Sequence, residues 1–245
     1  MNKKYQILNA DMLKILAMFF MLLDHIWIVW IPENNWMHYV GRLAFPIFAF
    51  QIVEGYFHTS NLKRYKERLF AFALISEIPF NLMINCSIFY PNHQNVLFTF
   101  LLGILAIDIT EDCLKTEKLW KKIIDIFKIL LLLLIAGLGM TDYGTLGVLT
   151  VFVFYAAKKI PKLKYLIMLI GIVYLHIISY EGTAIPVSIF GTDYNFPIQG
   201  FASLSLIPIF LYNGNKGKGG KILKRIGYWF YPAHALVLFL IWWFV

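Results

Sequence analysis

Apolar runs recur along this 245-residue chain at 11–31, 36–57, 67–84, 95–109, 123–138, 142–157, 164–180, 198–212 and 226–245. A helix crosses a hydrocarbon core with about 20 apolar residues, so most of these runs can span, while the fourth and sixth are short. Hydrophobic residues make up 60% of the chain and charged ones only 15%; soluble domains hold about a quarter charged. A water-soluble globule, a disordered chain and a coiled coil are excluded on those grounds. Cys86 and Cys113 are the two cysteines and form neither a disulfide framework nor a Cys/His metal spacing. The predicted fold class is all-α: a polytopic membrane protein of about nine transmembrane helices, one domain over 1–245.

The basic residues orient those helices. Lys63, Arg64, Lys66 and Arg68 fall in the second loop, and Lys115, Lys118, Lys121 and Lys122 in the fourth. Lys158, Lys159, Lys162 and Lys164 fall in the sixth, and Lys216, Lys218, Lys221, Lys224 and Arg225 in the eighth. The four alternate loops hold no Lys or Arg. With Lys3 and Lys4 before the first run, this positive-inside pattern predicts a cytoplasmic N-terminus and an outer C-terminus in the cytoplasmic membrane. The net charge of +8 therefore reads as topogenic, with some affinity for anionic lipid of the bilayer and none implied for nucleic acid. Lys14 and Lys128 lie near cytoplasmic ends, where their amines snorkel. The first run is too long for a signal peptide and lacks a small-x-small cleavage site. Asn213 to Gly220 reads as a flexible cytoplasmic linker, because no strand precedes it and the Lys-Ser/Thr ending of a phosphate loop is missing.

Ionisable groups inside spans cost about 2.5–3.5 kcal/mol each on insertion scales, so each needs a reason. Asp24 and His25 come about fourteen residues into the first helix, roughly 20 Å up at 1.5 Å per residue. Arg42 lies early in the second, descending helix at a similar level. Glu77 and Asn81, at i and i+4, share one face of the third. Gln94 and Asn95 open the fourth, Asp142 the sixth and Gln199 the eighth. A deeper group holds Glu54, His58 and His234, the last sharing a face with Tyr231. Successive helical residues point about 100° apart, so Asp24 is placed to engage Arg42 or another helix while His25 faces a cavity. Arg42 is expected against a carboxylate, Asp24 or Glu77. Taken singly, His234, Asn81 and Gln199 also suit plain helix–helix hydrogen bonds.

Six strings carry a family resemblance: LKILAMFFMLLDHI (13–26), GRLAFPIFAFQIVEGYFHTSNLKRY (41–65), LISEIPFNL (74–82), QNVLFTFLLG (94–103), DYGTLGVL (142–149) and YWFYPAHALVL (228–238). In this order they resemble the TraX family of integral membrane proteins over almost the whole chain. The first helix is more faintly similar to those of larger membrane acyltransferases. The family is named for a conjugation protein that acetylates the N-terminal amine of pilin. The resemblance implies an acetyl-CoA-dependent acetyltransferase acting on a peptide or sugar acceptor, and it makes His25 the candidate catalytic residue. It does not identify the acceptor.

Acetyl transfer from a thioester needs a base for the acceptor and a donor for the developing oxyanion. His25 suits the base, Arg42 or Asn95 the donor, and Asp24 either the holding of Arg42 or the tuning of the imidazole through the surrounding network. Glu54, Glu77, Asn81, Asn95, Asp142, Tyr231 and His234 are the candidate substrate-binding residues. Arg64, Lys66 and Arg68 are candidate contacts for the phosphates of acetyl-CoA entering from the cytoplasm. With no Ser, Cys or Thr in a nucleophile motif, direct transfer is favoured over an acyl-enzyme. Two other readings stay open: an ion- or proton-coupled transporter using the same polar residues, and an assembly factor. Against the transporter, no inverted repeat is visible and nine spans do not halve. The oligomeric state is not legible.

Overall fold

The computed structural model describes residues 5–180, 182–189 and 191–245, so Lys3 and Lys4 of the basic N-terminal flank lie outside the described residues. Helices dominate: α1 (Ala10–Val29), α2 (Asn35–Gly41), α3 (Ala44–His58), α4 (Leu62–Asn85), α5 (Val96–Lys115), α6 (Leu119–Leu138), α7 (Gly144–Lys159), α8 (Lys164–Val173), α9 (Leu206–Phe210) and α10 (Gly220–Phe244). A π turn at Tyr174–Ile178 follows α8, and a 3₁₀ run at Ile198–Ser205 precedes α9. Between them an antiparallel hairpin pairs β1 (Ala184–Ile189) with β2 (Thr192–Pro197).

Side-chain caps set several helix starts. Asn9 accepts from Met12 N–H at 2.9 Å, Asn61 from Arg64 N–H at 2.9 Å and Asn95 from Leu97 N–H at 3.1 Å, satisfying amides that have no partner in the first turn. α1 packs on α2, α3 and α10; α4 packs on α10 and α5; α5 packs on α6 and α7. Leu13, Ile47, Leu69, Ile104 and Phe154 are sealed in the common core. On α6 only Ala136 is buried, and Leu130, Leu131, Leu134 and Ile135 are exposed. A bare row of that kind suits acyl chains as its solvent.

Three segments are individually long and apolar enough to cross a membrane: Ala10–Val29, Pro161–Ile178 and Gly220–Phe244. The expected second span, 36–57, is two helices broken at Arg42 and Leu43. The eighth, 198–212, is a 3₁₀ run and a five-residue helix. Several basic residues assigned to loops sit instead on helical ends: Lys63, Arg64, Lys66 and Arg68 on α4, and Lys221, Lys224 and Arg225 on α10. On α4 the Asn61 cap and strong helix formers carry the helix past the apolar boundary.

The stretch Asn213–Gly220 is not a free linker. Leu8 N–H donates to Leu211 O at 3.0 Å, and Asn213 N–H donates back to Leu8 O at 2.8 Å. Ala10 N–H donates to Asn215 O at 2.8 Å, and Gly219 N–H to the Asp11 carboxylate at 2.7 Å. At Gly217, φ is +91° and a Cβ would collide with Asp11 and Asn9. The glycines let this loop lie flat against the start of α1.

Candidate functional site

His25 on α1 and His234 on α10 meet, Nδ1 to Nε2, at 2.6 Å with rings within 6° of parallel. Residue counting along the chain sets these two histidines at different depths; the helix crossing brings them together. His234 Nδ1 lies 2.7 Å from Phe230 O, a contact only N–H donation can make. With both rings neutral, His234 Nε2 is then the acceptor, His25 Nδ1 the donor, and His25 Nε2 carries a free lone pair.

Asp24 is buried next to this pair and engages two partners on its other side. Its Oδ1 receives His38 Nδ1–H at 2.7 Å, and its Oδ2 receives Arg42 Nη2–H. Arg42 therefore pairs with Asp24 and not Glu77. Gly41 makes this possible, since a Cβ there would occupy the Asp24 side chain's space. Arg42 sits at the break between α2 and α3, outside the regular helix expected for it. Its Nη1 donates to Gln199 Oε1 at 3.5 Å, and its Nε is buried without a partner.

Behind Arg42 runs a directed chain of buried hydrogen bonds. Thr150 Oγ1 donates to Leu146 O at 2.8 Å, so it accepts from His176 Nε2–H at 3.1 Å. His176 Nδ1 then accepts from Gln199 Nε2–H at 3.1 Å, and Gln199 Oε1 is left for the guanidinium. His176 occupies the π turn, which turns its ring inward.

The other candidates separate into groups. Glu77 Oε2 accepts from both the backbone and the side-chain amide of Asn95, while Glu77 Oε1 is buried and unpartnered. Asn95 Nδ2 also donates to Ala73 O at 2.8 Å, and its Oδ1 caps α5. Its donors are spent, so Asn95 does not serve as an oxyanion donor. Asn81 is 2% exposed, and its Oδ1 is unpartnered. Asp142 precedes α7 rather than opening it and pairs with His93 at 3.5 Å. Glu54 holds Lys158 at 2.5 Å and Tyr212 at 3.4 Å. His58 bonds Glu54 O at 2.8 Å. These two therefore belong to the basic end of the bundle, where both line the cavity that leads toward His234.

A cavity of about 570 Å³ opens at that basic end and stops about one helical turn short of the histidines, which do not line it. Lys14, Arg68, Lys216, Lys221 and Lys224 line it at one end, and Met21, Val96 and Tyr231 at the other. None of the five cations forms a salt bridge with a carboxylate among the described residues. Met21 is one helical turn before His25, and Tyr231 nearly one before His234. Of the expected phosphate contacts, only Arg68 lines the cavity. Arg64 is exposed outside it, and Lys66 is taken by Asp108. Lys14, Lys216, Lys221 and Lys224 stand in their place. A regular spacing marks them in the sequence: Lys14, Met21 and His25 share one helical face, as do Lys224, Tyr231 and His234. His38 and His176 carry no such signal, because each acts from a segment that folds back.

The model of the family described as TraX protein matches residues 9–242. The chain is 29% identical over 245 residues to a protein named probable fimbrial assembly protein FimC, serogroup H1, of Dichelobacter nodosus, covering 94% of each chain. It is 28% identical over 190 residues to Protein TraX of Escherichia coli, covering 72% of this chain and 69% of that one. No solved structure matches.

Proposed function

The chain belongs to the TraX family, and from that premise we propose that it is a multi-pass acetyltransferase of the cytoplasmic membrane. It takes the acetyl group from acetyl-CoA on the cytoplasmic side and delivers it to an amine or hydroxyl acceptor, a peptide N-terminus or a sugar, at the outer side. The name of one relative, a probable fimbrial assembly protein, points the acceptor toward fimbrial proteins. The observation that carries the reading is a cavity that runs from five cations, none in a salt bridge among the described residues, to within about one helical turn of the His25–His234 pair.

The cations supply what a nucleotide's phosphates require: charge-assisted donors on several elements around one opening. From Lys14 to His25 is eleven residues, about 16 Å along α1, and from Lys224 to His234 ten residues, about 15 Å along α10. A pantetheine arm reaches over that span from a phosphate at the mouth to a thioester at the histidines. The lining between, with Leu13, Met21, Phe50, Leu97 and Phe100, is apolar enough to keep water from the thioester.

At the inner end, His25 Nε2 accepts the proton of the attacking group. The positive charge that forms on His25 is spread through Nδ1–H onto His234, whose own Nδ1 stays bonded to Phe230 O. His234 thus orients and supports its neighbour much as the carboxylate does in a Ser-His-Asp triad. Arg42 Nε, buried without an acceptor, is the donor for the oxyanion, and the Gln199–His176–Thr150 chain holds its plane. The proton on His25 then passes to the departing thiolate. The bond made is acceptor to acetyl carbon, and the bond broken is carbon to sulfur.

The orientation rests on the positive-inside pattern. Ion pairs Lys66–Asp108, Lys158–Glu54 and Lys159–Glu111 gather the basic ends of α4 and α7 at the same end as the cavity mouth.

Purified protein with radiolabelled acetyl-CoA tests the reading. The wild type is expected to bind the donor and to transfer or slowly hydrolyse the acetyl group. His25→Gln is expected to lose about 10²–10⁴-fold in turnover with donor binding kept. Substantial residual turnover in a monodisperse His25→Gln protein would remove the catalytic assignment. Solute flux into liposomes without any dependence on CoA would replace the enzyme by a transporter.

A further inference from the structure

We propose that His38, held by Asp24, is a second catalytic base: it removes the first proton from an acceptor amine arriving as an ammonium ion. This rests on the acetyltransferase reading and adds to it a residue on the acceptor's side. His38 lies on α2, which folds back on the half of α1 farthest from the basic mouth.

The geometry is that of an oriented base. An ionised Asp24 has only acceptors, so the 2.7 Å contact to His38 Nδ1 puts the proton on Nδ1 and leaves Nε2 as the lone pair. One face of the ring is stacked on Trp27, with centroids 3.8 Å apart and planes 19° apart. Trp27 is itself pinned by Nε1–H donation to Pro32 O at 2.8 Å. His38 Nε2 makes no hydrogen bond within the described residues, and it is not among the sealed polar atoms. Arg42 already matches the charge of Asp24, so neutralising the carboxylate does not require a second partner. The charged group against the ring is Asp24 on α1, and Arg42 at the end of α2 holds the other oxygen of the same carboxylate.

The stoichiometry calls for such a group. An ammonium acceptor loses one proton before it can attack and a second as the amide bond forms. The His25 relay handles only the second, which the thiolate takes back. The sum is R–NH3⁺ plus acetyl-S-CoA giving the acetamide, HS-CoA and one proton. His38 Nε2 takes that remaining proton and releases it to outer water.

Two amines of near-equal shape separate this role from a structural one. Ethylamine is protonated at neutral pH and trifluoroethylamine is not. His38→Gln keeps a donor for Asp24, and its turnover is read relative to wild type for each amine, so intrinsic nucleophilicity cancels. The expected loss is about 10²-fold with ethylamine and less than about threefold with trifluoroethylamine. Equal losses with both amines, or none with either, overturn the role of His38 while leaving the transferase intact. A wild type that acetylates neither amine overturns the amine reading itself, and His38's role with it. Should the Gln variant not fold, His38→Ala is assayed with ethylamine and added imidazole: recovery supports the base, and no recovery in a donor-binding protein overturns it.

Discussion

His93 and Asp142 meet at 3.5 Å where the loop before α5 faces the turn before α7. The hydrogen bond to the Asp142 carboxylate holds His93 above the usual histidine value of 6.5, against the opposing effect of burial. A raised value in the folded state means the folded protein binds the proton more tightly than the unfolded chain. The contact's stabilisation is therefore complete below about pH 6.5 and fades as pH rises through the higher folded value. Thermal unfolding of the purified protein should show a Tm that falls from pH 6 to pH 9, and His93→Gln should flatten that slope. An unchanged slope would show that this pair contributes nothing. At this scale the pairing of Arg42 with a carboxylate was legible, because an unpaired guanidinium in a bilayer is too costly to keep. The choice of Asp24 over Glu77 was not, since both sit at the same level and only helix packing decides which is near.

Among the elements, the glycine-rich loop before α10 departs most from its composition. Seen alone, Asn213–Gly220 has the make-up of a flexible tether; against α1 it becomes a fitted lip of the cavity carrying Lys216. Gly217 is required there for two reasons, a φ of +91° and the absence of room for a Cβ beside Asp11. Gly214 shares the first reason, with φ +82°, but has nothing within 4 Å. Gly217→Ala should therefore weaken acetyl-CoA binding by about tenfold and Gly214→Ala by less, as titrated by calorimetry. Binding of S-acetyl-pantetheine, which lacks the phosphates, should change little in either. A Gly217→Ala protein with wild-type affinity would show that the lip does not shape the phosphate end. The break at Arg42 belongs to this scale too. An apolar run through 36–57 reads as one helix, although Pro46, with no amide to donate to the Arg42 carbonyl, marks a helix start there.

For the molecule as a whole, the decisive experiment is sidedness. In a chain with Cys86 and Cys113 replaced by Ser, a cysteine at Asn92 should react with an impermeant maleimide in intact cells, and one at Lys118 should react only after permeabilisation. The reverse pattern would put the five-cation mouth outside and detach it from cytoplasmic acetyl-CoA. What the sequence alone determined is the solvent, and it set the orientation that the labelling tests: apolar length and the alternation of basic loops are one-dimensional quantities, readable because lipid and positive-inside insertion act on each segment separately. It also held, in the spacing of Lys14 from Met21 and of Lys224 from Tyr231, the facing stripes that line the cavity. The meeting of His25 with His234, the capture of Asp24 by His38 and the turning of Asn95's amide away from the site were decided only in three dimensions. These contacts join residues as many as 209 positions apart. No local pattern encodes which helix faces which; that follows from packing α1 against α2 and α10, where a small residue such as Gly41 lets a carboxylate reach its partners.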